Sequence, residues 1–283
     1  MSQSTLPSEE DLFDNYKDLA ELMGERKVTI RTLDIGGDKF ASSIQWADEM
    51  NPALGVRGIR FCLQSPKIFR AQLRAILRAA RFGNIRIMFP MISQVEEVVQ
   101  AKQMLDKAAE SLDKEGIPFK RDIQIGAMIE VPSAVFMADI LAGEVDFFSL
   151  GTNDLIQYSF AIDRVNKHVA DLYQPLHPTV LRMIHHVVDA GRTAGIPVAL
   201  CGEMGGDAIN LPVLLGLELD SISMNPVSIP AIKEAIRRLS FEDSKILAQK
   251  AMKECCATDV RDLVFETCGK SFEMATFFQS NGA

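Results

Sequence analysis

IRIMFPMI (85–92), IQIGAMIEV (123–131) and VDFFSLG (145–151) are apolar at nearly every position. A strand with one wet face alternates apolar and polar residues; a run apolar throughout marks a strand covered on both faces, as in parallel sheets. Working outward, the same reading gives six predicted strands: Val28–Ile35, Ile85–Ile92, Ile123–Val131, Val145–Leu150, Pro197–Cys201 and Ser221–Met224. Between them lie stretches of helical period, among them PKIFRAQLRAILRAARFG (66–83), QVEEVVQAKQMLDKAAESL (94–112) and HPTVLRMIHHVVDAGRTAG (177–195). Ser8 before Glu9, Glu10 and Asp11 reads as a helix N-cap with acids in the first turn. Gly24, Gly83 and Gly195 read as helix stops, and the chain from about Ser240 onward reads as helical.

Strand–helix alternation implies an α/β fold with a parallel sheet and right-handed crossovers. A doubly wound sheet and a (β/α)8 TIM barrel both satisfy it. The barrel is favoured because the unusual polar residues follow several strand ends, in DIGGDK, IEVP, GTND and CGEMGGD. A doubly wound sheet concentrates its glycines after the first strand, and no GxGxxG stands there. Since the chain opens on a helix and yields six strands, the expectation is one barrel domain over 1–283 that lacks its first two strands.

Composition bounds the rest. The 283 residues are 47% hydrophobic and 24% charged, which is globular composition. A net charge of −8 with no basic tract argues against nucleic-acid binding. No apolar run reaches the roughly 18 residues of a membrane span, and MSQSTLPSEEDLF does not read as a signal peptide. The five cysteines have no zinc spacing and read as reduced thiols of a cytoplasmic protein.

Glu130 and Asp154 follow two successive strands. A carboxylate pair at neighbouring strand ends suits Mg²⁺, which takes oxygen ligands and keeps positions for water and substrate; equally, Asp154 suits the cap of the next helix. Arg31, Arg57 and Arg164 lie near predicted strand ends or in the loops that follow, where guanidinium groups can bind carboxylate or phosphate in a bidentate way; surface placement is the plain alternative. Arg31 falls inside an apolar strand, where an unpaired charge is costly. Lys39 is a further anion contact or a solvated side chain. Cys201 ends a strand before GEMGG and reads either as a functional thiol or as buried filler. None of the four histidines sits in a phosphoryl-carrier pattern.

Together, RTLDIGGDK (31–39), NPALGVRGIR (51–60), IMFPMI (87–92), IEVP (129–132), FFSLGTNDLIQY (147–158), DR (163–164) and CGEMGGD (201–207) resemble the phosphoenolpyruvate-utilising enzymes, and among them most closely the enzyme I family of the bacterial sugar phosphotransferase system. The resemblance implies a (β/α)8 barrel that binds phosphoenolpyruvate and Mg²⁺ at its C-terminal face and dimerises. It implies transfer of the phosphoryl group to a histidine on a separate domain and on to a small phosphocarrier protein. Residue by residue it makes Glu130 and Asp154 the metal ligands and Arg31, Arg57, Asn153, Asp154 and Arg164 the substrate contacts. Cys201 becomes the acid that protonates C3 of the enolate. The family's early LYRTEF-like strand and its phosphohistidine domain are not in this sequence. Rival readings are a pyruvate, phosphate dikinase or phosphoenolpyruvate synthase barrel, a nitrogen-regulatory paralogue, a metal-dependent 2-oxo acid aldolase or lyase, and a non-catalytic dimerisation fragment.

Overall fold

The computed structural model describes residues 6–35 and 50–268. Gly36, Gly37, Asp38 and Lys39 of the first glycine-rich motif lie outside them. The described residues hold six strands, each inside or overlapping a predicted one: β1 Val28–Arg31, β2 Ile85–Phe89, β3 Ile125–Ile129, β4 Phe147–Gly151, β5 Val198–Cys201 and β6 Ser221–Ile222. In chain order the α-helices are α1 Glu9–Met23, α2 Ile59–Gln64, α3 Pro66–Ala79, α4 Val95–Glu115, α5 Pro132–Phe136, α6 Ala138–Leu141, α7 Thr152–Phe160, α8 Pro178–Ala194, α9 Leu211–Gly216, α10 Ile229–Arg238, α11 Phe241–Ala251 and α12 Ala257–Cys268. The fold is therefore α/β with parallel strands. No helix among the described residues is long and apolar enough to cross a membrane.

The chain divides into two compact units, one of Met1–Met128 with Gly143–Phe147, the other of Ile129–Ala142 with Phe148–Ala283. In the first, β1 pairs parallel with β2 (Val28 beside Ile85) and β2 with β3 (Ile87 beside Ile125). Its core joins Ile85, Ile87 and Phe89 of β2 to Phe69, Leu73, Ile76 and Leu77 of α3, all fully buried. Phe69 meets Phe89 edge to face, centroids 6.2 Å apart. Ser8 caps α1 in a reciprocal capping box with Asp11. The first-turn acids also anchor α1 to its neighbours. Arg74, its side chain 8% exposed, donates to Glu9 at 2.6 Å, to Ser111 at 2.7 Å and to both oxygens of Glu115 at 2.8 and 2.7 Å. Arg78 bridges Glu9 and Glu10 from one turn further along.

In the second unit, β4 pairs parallel with β5 (Phe148 beside Val198) and β5 with β6 (Ala199 beside Ser221). Phe148, Leu150, Val198 and Leu200 are buried, as are Val180, Leu181, Ile184 and Val187 along one side of α8. Gly195 ends α8 in the left-handed conformation (φ 73°), and α11 and α12 supply the helical end that the sequence implies. Gly83 corrects an expectation: α3 stops at Ala79, four residues earlier. A Cβ on Gly83 would stand 2.7 Å from the Ala20 carbonyl, so the glycine is there because α1 passes close over it.

Candidate active site

Strand ends carry the polar residues in both units. In the first, Arg31 is the last residue of β1, and its side chain is 48% exposed. It is therefore not the charge enclosed in an apolar strand that the sequence suggests; the strand ends at it. Its Nη1 donates to Asp34 Oδ2 at 3.2 Å. Arg57 approaches the same carboxylate with two bonds, Nε to Oδ1 at 3.3 Å and Nη2 to Oδ2 at 3.1 Å. Asp34, 4% exposed, thus gathers two arginines 26 positions apart in the sequence onto one counter-charge. Sequence reasoning quoted Asp34 within DIGGDK without giving it a role. The signal was an acid alone between a strand end and a glycine pair.

In the second unit, Glu130 follows β3 and is 2% exposed, and Asp154 lies in the first turn of α7. Each offers a carboxylate oxygen within 4.8 Å of the other. Gly151 holds the cap position of α7 without a side-chain bond. Asp154 is therefore not the cap, although it sits where the helix dipole favours an anion. Two hard oxygen donors at that separation fit a magnesium-sized cation that keeps sites for other ligands.

Cys201 ends β5, half-buried rather than enclosed. The Ser149 hydroxyl donates to its Sγ at 3.3 Å, and the thiol donates to the Leu150 carbonyl at 3.3 Å. Gly202 follows with φ 121°, a backbone that L side chains rarely adopt, and a Cβ there would stand 2.5 Å from Thr152 Oγ1. The glycine lets the turn lie against α7, where Thr152 Oγ1 donates to the Cys201 carbonyl at 3.2 Å. Next along the turn, the Glu203 amide donates to Asn153 Oδ1 at 3.1 Å, and Asn153 Nδ2 donates back to the Glu203 carboxylate at 3.3 Å. Arg164 Nη1 donates to the same Glu203 oxygen at 2.8 Å. The Tyr173 hydroxyl completes the set, donating to Asn153 Oδ1 at 3.1 Å. Burial and the nearby Glu203 carboxylate push Tyr173 up to about 12, so it remains a proton donor at neutral pH. Ser149, Thr152, Tyr173 and Glu203 were all missed by the sequence reading of single residues.

The other titratable candidates are structural. Burial pushes the Cys62 thiol up to about 12, which keeps it protonated. His177 caps α8 by accepting from the Thr179 amide at 3.2 Å, and burial lowers its pKa, consistent with the neutral ring that this acceptor role requires.

Against known proteins, the family model described as PEP-utilising enzyme, PEP-binding domain matches residues 1–241. The chain belongs to this family. Among curated relatives it is 46% identical over 266 residues to a phosphoenolpyruvate-protein phosphotransferase of Staphylococcus carnosus (strain TM300), covering 94% of this chain and 46% of that protein. Its identity to the enzyme of the same name in Bacillus subtilis (strain 168) is 47% over 267 residues, or 94% and 47% of the two chains. With that of Haemophilus influenzae (strain ATCC 51907 / DSM 11121 / KW20 / Rd) it is 46% over 266 residues, or 94% and 46%. The chain spans about half the length of the curated relatives it matches. Each unit thus carries its own cluster of charged side chains: Asp34 with Arg31 and Arg57 in the first, and the Glu130–Asp154 carboxylate pair in the second.

Proposed function

We propose that this chain is the phosphoenolpyruvate-binding, Mg²⁺-dependent half of a phosphoenolpyruvate-protein phosphotransferase, acting in the cytoplasm in sugar uptake. On this reading its six strands belong to a (β/α)8 barrel, and it works as a homodimer. The observation that carries the proposal is the Glu130–Asp154 carboxylate pair, in the same unit as the Cys201–Glu203 turn with Asn153 and Arg164. Relatives of about twice the length that bear this enzyme's name support it.

Glu130 and Asp154 would hold the metal ion. When bound, Mg²⁺ supplies neutralisation of the phosphoryl and carboxylate charge. Arg31, Arg57 and Arg164 bind the anionic oxygens of phosphoenolpyruvate, and Asn153 donates to them. Phosphoryl transfer is mainly positioning and charge neutralisation, which these groups supply. The phosphoryl group leaves for a histidine on a separate domain, then for a phosphocarrier protein. Cys201 hands its thiol proton to C3 of the enolate and so completes pyruvate. Its hydrogen bonds to Ser149 and Leu150 fix where that proton stands.

The test is reconstitution. Mixed with a separately produced phosphohistidine domain and carrier, the chain should release pyruvate from phosphoenolpyruvate and label the carrier. Pyruvate released without any label on the carrier would point instead to a lyase or hydrolase, and no pyruvate at all would remove the transfer reading.

A further inference from the structure

Glu203 stands out in the second unit because a carboxylate occupies what looks like an anion-binding position. It is 74% exposed, yet among the described residues it is the one acid paired with Arg164, at 2.8 Å, and the same oxygen also accepts from Asn153 at 3.3 Å. Arg164 and Asn153 are the two groups in this unit that the proposed function gives to the anionic substrate. The carboxylate thus carries the charge and the geometry of part of a ligand. Nothing in packing requires it, since an exposed glutamate could turn into water. The turn that presents it is built instead: Gly202 adopts φ 121° against Thr152, and the Glu203 amide is tied to Asn153.

We propose that Glu203 is an internal placeholder anion, which holds Arg164 and Asn153 in their binding arrangement and is displaced when a phosphorylated carboxylic acid takes its place. The inference rests on the proposed substrate reading but concerns a residue to which that reading gives no role. Arg164 lies on an irregular stretch after α7, and a long side chain there carries rotamer entropy that a partner must overcome to hold it in place. Pairing it in the free protein keeps the guanidinium at the site, and the exposed pair is weak enough to exchange. An exposed ion pair changes an equilibrium by only about 1.5- to 5-fold. Room for the displaced side chain exists beside it. A cavity of about 460 Å³ is lined by Glu203 itself, Asn153, Gly206, Ser223 and Asn225.

The experiment is a set of titrations of the whole chain, read by calorimetry, with inorganic phosphate and with phosphoenolpyruvate in the presence of Mg²⁺. Glu203→Gln removes the competing charge and keeps the shape, so both ligands should bind about 2- to 5-fold tighter than to the parent. The gain should vanish in a background of Arg164→Ala, because without Arg164 there is no shared partner to compete for. It should also shrink in high salt, where the placeholder pair is already screened. Glu203→Asp, with its charge kept and its reach shortened, should show less of the gain than the glutamine. Unchanged or weaker binding of phosphate by Glu203→Gln, or a gain that survives in the Arg164→Ala background, overturns the placeholder role. A parent that binds phosphate but not phosphoenolpyruvate, with the phosphate effects as stated, overturns the substrate reading and leaves the exchange of anions at Arg164 standing.

Discussion

Arg74→Met tests the idea that a buried guanidinium ties α1, α3 and α4 together. Methionine keeps the length and the apolar stem of the side chain and removes all four of its bonds, to Glu9, Ser111 and twice to Glu115. At about 1.5–3 kcal/mol for each hydrogen bond to a charged group, those bonds set a high ceiling. Most of it is recovered by water, because Glu115 is 47% exposed and rehydrates freely, and Glu9, 22% exposed, does so in part. The expected net loss is about 2–3 kcal/mol, below the roughly 3–5 kcal/mol seen when a fully buried pair loses one partner. In a chain of this size that lowers Tm by about 3–5 °C, measured by calorimetry or circular dichroism. The loss should also depend on pH. Hydrogen bonding to Arg74 holds the Glu115 carboxyl below its ordinary 4.5. A carboxyl lowered on folding stabilises the native state above its unfolded pKa, and that contribution disappears as pH falls through the folded value. The gap between parent and variant should therefore be full near neutrality and narrow in acid below about pH 4.5. A Tm within about 1 °C of the parent at pH 7 would refute the account, since the four bonds would then add almost nothing net.

Cys201→Ala should slow pyruvate formation in the reconstituted enzyme far more than it weakens phosphoenolpyruvate binding, because the thiol acts on the enolate rather than on the bound substrate; an equal loss of affinity would make Cys201 a packing residue. Gly202→Ala should weaken substrate binding and lower Tm together, since the new Cβ meets Thr152 Oγ1 at 2.5 Å and forces the turn away from α7; unchanged binding would separate the turn from the site. Labelled phosphoenolpyruvate alone should leave no phosphate on His168, His177, His185 or His186, which mass spectrometry of the chain would check, and a labelled histidine would place the acceptor in this chain.

How far the sequence alone reaches depends on burial. Strands β2, β3 and β4 were legible because both of their faces are apolar, while β1 and β5 alternate and β6 is only two residues long; the apolar pattern survives single polar residues such as Arg86, which stacks on Phe147. Their ends were not. Val28–Ile35 stops as a strand at Arg31, where the chain turns to bring Asp34 back onto that arginine, and Ile85–Ile92 stops at Phe89, before Pro90 and a Met91 with φ 57°. Hydrophobicity continues through both ends, so periodicity has no mark for where the ladder stops. Arg31, Glu130 and Asp154 were visible as charged residues at or just after strand ends, whereas Arg57 and Arg164 lie in loops, and the roles proposed for all five came from the resemblance rather than from spacing. Glu203 and Tyr173 were not visible, because an exposed loop acid and a loop tyrosine fit any surface. What distinguishes them is a partner 50 positions from the first and 20 from the second, and no local pattern contains it.

The most direct test of the central claim is calorimetric titration of phosphoenolpyruvate into the chain with Mg²⁺ and with the metal removed, repeated on Asp154→Ala. The account predicts that binding is strengthened by Mg²⁺ in the parent and indifferent to Mg²⁺ in the variant, with the variant still folded by circular dichroism. Binding that ignores Mg²⁺ in the parent, or a variant that responds to the metal as the parent does, would contradict it.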